Sequence, residues 1–387
     1  MRSVKISGIS TRGCDYNGVK PLRSMESKTP ATAHSIRSLD GTRQHHGNIT
    51  EAFLQGKRTE HLFIKHRLNS TLTTSHPIPT MGAVLSFYDA CWPPKAKWSV
   101  EKIPDLSGKI VIVTGGNSGI GKETVKALLA KNAKVYIASH NRARVEAAMR
   151  ELEQATGNKA LFIELNLSSL SSVKAAAEAF QRLETKLDIL INNAGVMSPP
   201  IESITAEGYD LQFGLNVVGH YYFTRLLTPQ LIAAGSARIV TLTSHGHSLT
   251  DGIKWETLKD GPARQKEKPF DLYNQSKFGN VVVACEFARR YGDKGIISTS
   301  VHPGLIVTNL GRTMSPAFVK FAHYLSYSAT KGALTSLYAA TSQEALNANG
   351  KYFTPWARIG KAHPAALDAE VGAKLWAWLE EETKNVQ

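Results

Sequence analysis

From about residue 105 onward, short apolar runs alternate with stretches of helical periodicity. Lys109-Ile110-Val111-Ile112-Val113 is apolar at every position after the first, the pattern of a strand buried on both faces. A glycine-rich turn follows, then a helix predicted from Gly119 to about Lys131. The alternation continues with a strand over Ala133–Ala138, a helix over Arg142–Gln154, a strand beginning Leu161-Phe162-Ile163 and a helix over Ser171–Leu183. Beyond these the pattern predicts a strand at Leu187–Ile191, a long helix near Tyr209–Leu231 and a strand at Ala237–Thr243. A helix around Tyr273–Tyr291, a strand at Ile296–Val301 and a terminal helix–strand pair complete it. Strands alternating with helices predict an α/β domain whose parallel sheet is covered on both faces. No internal repeat and no second domain interrupts the pattern.

Residues 1–80 lack this order. They are polar, rich in Ser, Thr, His and Arg, and Leu62-Phe63-Ile64 is their one apolar cluster of note, so they are expected to be largely disordered. A transit peptide would suit the basic, acid-poor start (Arg2, Lys5, Arg12, Lys20, Arg23), but Gly8, Gly13 and Gly18 break any amphipathic helix. An upstream extension ahead of an initiator at Met81 fits better. Initiation there would expose Met81-Gly82-Ala83-Val84-Leu85-Ser86, an N-myristoylation pattern, with Cys91 available for a second acyl chain. The plainer reading of residues 81–104 is an apolar leader that packs on the domain.

Composition narrows the function. With 387 residues, 42% of them hydrophobic, the chain can bury one large α/β core. No apolar run is long enough to span a bilayer. Cys14, Cys91 and Cys285 are widely separated, which speaks against a disulfide framework and against a zinc site, and fits a reducing, cytoplasmic setting. Residues 1–80 hold 12 Lys/Arg against 5 Asp/Glu, so half of the formal +14 sits in one fifth of the chain. Without a basic stripe interleaved with aromatics, nucleic-acid binding is not expected.

The chemistry lies in four places. Thr114-Gly115-Gly116-Asn117-Ser118-Gly119-Ile120-Gly121 joins the first strand to the first helix, where glycines allow tight packing and the helix N-terminus offers free N–H groups to phosphate. Tyr273 and Lys277 stand four apart on a helix and so share a face. An ammonium beside a phenol favours the phenolate and lowers its pKa, preparing proton exchange with an alcohol or carbonyl. Ser244 ends a strand, and Asn216 lies inside a helix. His245 and His247 have no apparent third metal ligand and read as polar loop residues, so no metal site is assigned.

Together these segments resemble the short-chain dehydrogenase/reductase family over roughly residues 105–360. The turn matches its T-G-x-x-x-G-x-G pattern, Asn192-Asn193-Ala194-Gly195 its N-N-A-G, and Tyr273/Lys277 its Y-x-x-x-K. Asn216 and Ser244 match its helix asparagine and catalytic serine, and Pro303-Gly304-Leu305-Ile306-Val307-Thr308 its P-G-x-x-x-T segment. The resemblance implies a single Rossmann-type, doubly wound domain over 105–387 with a seven-stranded parallel sheet in the order 3-2-1-4-5-6-7. It implies that Tyr273 acts as general acid/base, Lys277 lowers its pKa and holds the nicotinamide ribose, Ser244 bonds the substrate oxygen, and Asn216 bends its helix and positions a water. The cofactor-binding set it implies comprises Gly115, Asn117, Ser118, Gly119, Ile120, Gly121, Ser139, His140, Arg142, Asn166, Leu167, Asn193, Ala194, Gly195, Tyr273, Lys277, Pro303, Gly304, Val307 and Thr308.

Ser139 occupies the position where NAD-preferring members carry an acid. No carboxylate stands in Ser139-His140-Asn141-Arg142-Ala143-Arg144, and Arg142 or Arg144 is placed to pair with a 2′-phosphate. NADP is therefore expected, with NAD as the alternative. Asn166 replaces the usual Asp before Leu167. The 28 residues between Ser244 and Tyr273, including the charged Asp251–Phe270, are expected to form a loop at the substrate mouth as in the retinol-dehydrogenase-like branch, which Ser244-His245-Gly246-His247 also resembles. Leu305–Tyr327, with Met314, Phe318, Phe321, Tyr324 and Tyr327, matches the family's lid and suggests a hydrophobic substrate. The expected function is NADP-dependent interconversion of a carbonyl and an alcohol on a small molecule. The competing reading is a nucleotide-binding regulator or scaffold without turnover. A terminal helix at Asp368–Glu382 either covers the sheet edge or mediates a homodimer.

Overall fold

The computed structural model describes residues 92–306 and 326–386. Val307, Thr308, most of the lid segment, Cys91 and the Met81 terminus lie outside the described residues. Among the described residues one sheet runs in the order β3-β2-β1-β4-β5-β6-β7-β8. Its strands are β1 (Ile110–Thr114), β2 (Lys134–Ser139), β3 (Leu161–Glu164), β4 (Ile189–Asn192), β5 (Ala237–Leu242), β6 (Ile296–Val301), β7 (Tyr352–Thr354) and β8 (Arg358–Ile359). The first seven pair in parallel, in the predicted order. The eighth was not foreseen: Arg358–Ile359 doubles back and pairs antiparallel with β7, too short to announce itself by alternation.

Burial explains the order. β1 and β5 are buried at every position, as strands covered on both faces must be. One face packs against helices Gly119–Leu129, Arg142–Thr156 and Ala329–Thr341, with Val111, Val113, Val135 and Leu337 at its centre. Trp98 and Ile103 of the leader join this layer with Leu106, and Trp98 meets Tyr338 edge-on at 5.6 Å. The other face packs against Leu170–Leu183, Pro269–Tyr291 and Ala369–Thr383, with Ile112, Leu190, Phe278 and Trp376 inside. The terminal helix packs on the Pro269–Tyr291 and His220–Leu226 helices, where Trp376 meets Phe287 and Tyr221 edge-on at 5.0 Å.

Two elements depart from the sequence reading. The long helix near Tyr209–Leu231 starts instead at the N-cap Asp210, whose side chain accepts the N–H groups of Gln212 and Phe213. It widens into a π turn over Gly214–Gly219, returns to α-helix over His220–Leu226, and yields to a separate helix, Thr228–Ala233, whose first turn holds Pro229. Proline's missing N–H and fixed φ make that break.

The stretch Asp251–Phe270 is ordered structure, with short helical turns at Trp255–Thr257 and Pro262–Gln265. Arg264, only 1% exposed, donates to Asp260 at 2.8 Å and to Asp210 at 3.4 Å. Gln275 accepts the Lys254 N–H at 2.7 Å and donates to Thr257 Oγ1 at 3.0 Å. The insertion is therefore fastened to the two helices that carry Asn216 and Tyr273.

Candidate active site

The glycine turn leaves β1 at Thr114, and its geometry depends on two glycines. A Cβ on Gly121 would stand 2.4 Å from the Gly115 carbonyl oxygen and 2.5 Å from Asn193 Nδ2. Gly115 itself has φ +64°, with Ala194 about 3.1 Å from any added Cβ. The helix that follows begins at Gly119 behind the N-cap Ser118, whose side chain makes no capping bond. Its first N–H groups thus face outward without a side-chain acceptor, and a phosphate is the group such an end suits.

Thr114 is a junction that the sequence reading passed over. Its Oγ1 accepts the backbone N–H groups of Asn193 and Ala194, both at 2.9 Å, and lies 2.9 Å from His220 Nε2. His220 Nδ1 lies 3.0 Å from the Asn216 carbonyl, which can only accept, so Nδ1 carries the proton and Nε2 accepts from Thr114. Burial pushes the His220 pKa down to about 4, so the ring is neutral. Asn193 donates its amide to Thr114 O at 2.7 Å, which makes it a brace behind the turn.

Asn216 sits in the π turn, fully buried, and clasps Val196: it accepts the Val196 N–H at 3.0 Å and donates to the Val196 carbonyl at 3.1 Å. It also donates to Ser276 Oγ at 2.9 Å, one residue before Lys277. Through these bonds Asn216 joins the segment after Ala194-Gly195 to the Tyr273 helix.

Tyr273 is buried, and its hydroxyl lies near the Ser244 side chain. Burial pushes its pKa up to about 12, and the nearby Ser244 hydroxyl opposes that. Lys277 Nζ sits 5.7 Å from the Tyr273 ring centroid and donates to the Leu242 carbonyl at 3.2 Å. Burial also draws the Lys277 pKa down to about 8. No described carboxylate pairs with Lys277, and Leu242 O takes one of its three N–H donors. A Cβ on Gly195 would lie 3.5 Å from Nζ, so the ammonium borders the mouth formed by Ala194-Gly195. A buried cation with spare donors fits a ribose diol.

Ser139 is buried at the tip of β2, and Asn141 caps the next helix by accepting the Arg144 N–H. The absence of a carboxylate needs correcting. Glu164, at the end of β3, is the register partner of Ser139 and holds Arg142 in an ion pair at 3.2 Å. Cross-strand adjacency brings it there, which spacing along the chain cannot reveal. Asn166 turns its Oδ1 back to Ser168 N and Oγ at 3.1 and 2.7 Å, and Leu167 packs its carbonyl against Gly219. Gly304, with φ +91°, lies against Pro355 and Trp356. The structure thus brings Ser244, Tyr273, Lys277, Asn216, Ala194 and Gly195 into one place, with the glycine turn alongside.

A family model described as short chain dehydrogenase matches residues 109–252. A short-chain dehydrogenase/reductase of Armillaria gallica is 50% identical over 309 residues, covering 79% of this chain and 100% of the relative. An uncharacterized oxidoreductase of Schizosaccharomyces pombe is 39% identical over 292 residues, 71% of this chain and 85% of its own. Among solved structures, an uncharacterized protein from Mycobacterium paratuberculosis superimposes with a TM-score of 0.61 at 30% identity, over 75% of this chain and 98% of its own.

Proposed function

The chain belongs to the short-chain dehydrogenase/reductase family, oxidoreductases that work between CH–OH and C=O groups with a nicotinamide dinucleotide, and on that premise we propose an NADP-dependent enzyme that interconverts a carbonyl and an alcohol on a small hydrophobic substrate. The observation that carries this reading is the Ser244–Tyr273 hydroxyl pair beside a buried, partly uncommitted Lys277 ammonium.

The first turn of the Gly119 helix and the backbone at Gly115 would hold the pyrophosphate, and Lys277 the nicotinamide ribose. When bound, the dinucleotide supplies or accepts a hydride. Ser244 donates its hydroxyl hydrogen to the substrate oxygen, where negative charge develops in reduction. Tyr273 Oη gives that oxygen a proton, and takes one back in the reverse direction. The buried phenol is protonated at neutral pH, the form that acts as the acid in reduction. Asn216 keeps Ser276 and Lys277 in register with Val196.

The substrate side is apolar. Phe270, 43% exposed, stacks on Tyr273 at 6.3 Å, and Leu249, 52% exposed, follows Ser244 by five positions. Together with the ordered insertion, these surfaces support the retinol-dehydrogenase-like reading. No described helix is long and apolar enough to cross a membrane. A panel of carbonyls with NADPH and alcohols with NADP⁺ tests the proposal. Cofactor binding without turnover across the panel would favour the scaffold reading instead.

Dinucleotide choice has its own test. Ser139 lacks the acid that NAD-preferring relatives use, yet Glu164 neutralises Arg142 at the same strand ends. Glu164→Gln removes a charge that opposes a 2′-phosphate and frees the guanidinium to pair with it. Both groups are more than half exposed, so the effect is modest: the NADPH KM is expected to fall about three- to tenfold, with the NADH KM unchanged. A rise in the NADH KM would show instead that Glu164 bonds ribose hydroxyls and that NAD is the natural cofactor.

A further inference from the structure

His247 lies three residues beyond Ser244 in the short helical turn His245–Ser248 and is 1% exposed. Its Nδ1 stands 2.7 Å from the Ser244 carbonyl oxygen. A carbonyl only accepts, so Nδ1 must carry the ring proton and Nε2 the lone pair. That lone pair meets the backbone N–H of His363 at 3.3 Å, from a segment 116 positions away. His363 is itself fixed, with Nδ1 accepting the Ala365 N–H at 3.2 Å and its ring edge-on to Phe278 at 5.7 Å. Tyr352 of β7 lies 4.8 Å from the His247 ring. Both ring nitrogens therefore have assigned partners, and burial, which pushes the pKa down to about 4, keeps the ring neutral.

The turn has little slack on its other side. Ser244 Oγ accepts the Gly246 N–H at 3.2 Å, and a Cβ on Gly246 would stand 2.4 Å from Asn274 Oδ1, beside Tyr273. A shift of this turn changes how the Ser244 hydroxyl meets Tyr273. None of the hydrogen bonds of His247 reaches the glycine turn or Asn193-Ala194-Gly195.

We propose that His247 is a positioning residue for Ser244, a neutral imidazole in the Nδ1–H form that ties the serine's carbonyl to the His363 backbone and so sets the angle at which the hydroxyl meets the substrate. This rests on the chemistry assigned above to Ser244 and Tyr273. It requires turnover, and not cofactor binding, to depend on the ring.

His247→Phe keeps the volume and loses both bonds, whereas His247→Asn keeps a donor at the Nδ1 position. His247→Phe is expected to lower kcat about tenfold or more, since misplacement of a fraction of an ångström at reacting groups has that effect, with the NADPH Kd within about twofold of wild type. His247→Asn is expected to recover kcat to within about threefold, the scale of one lost hydrogen bond. Unchanged kcat in His247→Phe, no recovery in His247→Asn, or a cofactor Kd that weakens in step with kcat would each overturn the proposal.

A ring-nitrogen NMR spectrum of the wild-type protein at pH 7 provides a reading that needs neither variant nor turnover. The Nδ1–H tautomer at His247 is expected, and the Nε2–H tautomer would overturn the inference by itself. A wild-type protein with no turnover on any substrate would instead bring down the oxidoreductase chemistry on which the inference stands.

Discussion

Tyr273→Phe is expected to abolish nearly all turnover while leaving fold and cofactor affinity in place. The substitution removes one oxygen from a ring that is 5% exposed and stacked on Phe270, so no cavity of consequence opens. The hydroxyl lies near Ser244, whose Oγ retains the Gly246 N–H. The phenol is neutral at pH 7 in both the folded and the unfolded chain, so its raised pKa costs the fold nothing there and its loss adds no new penalty. Proton transfer by a placed side chain contributes roughly 10²–10⁴-fold, and that is the expected fall in kcat for carbonyl reduction followed by NADPH absorbance. The NADPH Kd and the unfolding midpoint should stay near wild type. Turnover retained within about tenfold would transfer the acid/base role to another group and overturn the mechanism.

The parts of the molecule that were legible in the sequence are those in which local pattern and structure coincide. Fully apolar runs such as Ile110–Val113 became strands buried on both faces, and Thr114–Gly121 became the turn its spacing predicts. Tyr273 and Lys277 share a helix face because four residues separate them. What stayed hidden depends on neighbours distant in sequence. Glu164 meets Arg142 across two strands, Arg264 is buried by Asp210, 54 positions earlier, and His247 is completed by a backbone N–H from His363. Asn193 is a matching motif residue, yet its amide braces the turn from behind. The π turn at Asn216 leaves no periodic trace, since one widened turn shifts the apolar stripe by less than the stripe's own width.

The same contrast governs the charge at the centre of the site. Arg264 is buried with two carboxylates and Asp188 with two lysines, so these charges serve the fold. Lys277 is just as deeply buried, but among the described residues a carbonyl oxygen is its assigned acceptor. A desolvated cation without a counter-charge weakens the fold that contains it. It persists where function requires it, and its cost is measurable.

Lys277→Met is therefore expected to stabilise the cofactor-free protein and to inactivate the enzyme. Burial draws the Lys277 pKa to about 8 from an ordinary 10.5, which corresponds to about 3 kcal/mol against the folded state wherever the lysine is charged. Below pH 8 both folded and unfolded chains carry the proton, and the penalty is present in full. Between pH 8 and 10.5 the unfolded chain binds more protons than the folded one, so wild-type stability recovers as pH rises through this window. Methionine fills similar volume without charge, and Leu242 O keeps the Asn280 amide at 2.9 Å. Denaturant unfolding should thus place the variant up to about 3 kcal/mol above wild type at pH 7, with the gap closing toward pH 10.5. Other titrating groups cancel in that difference. In the same variant kcat should fall by about 10²-fold or more and NADPH binding should weaken, because the donors proposed for the ribose are gone. A variant less stable than wild type at pH 7, or a gap that ignores pH, would mean that the ammonium is compensated within the chain and has no need of a ribose.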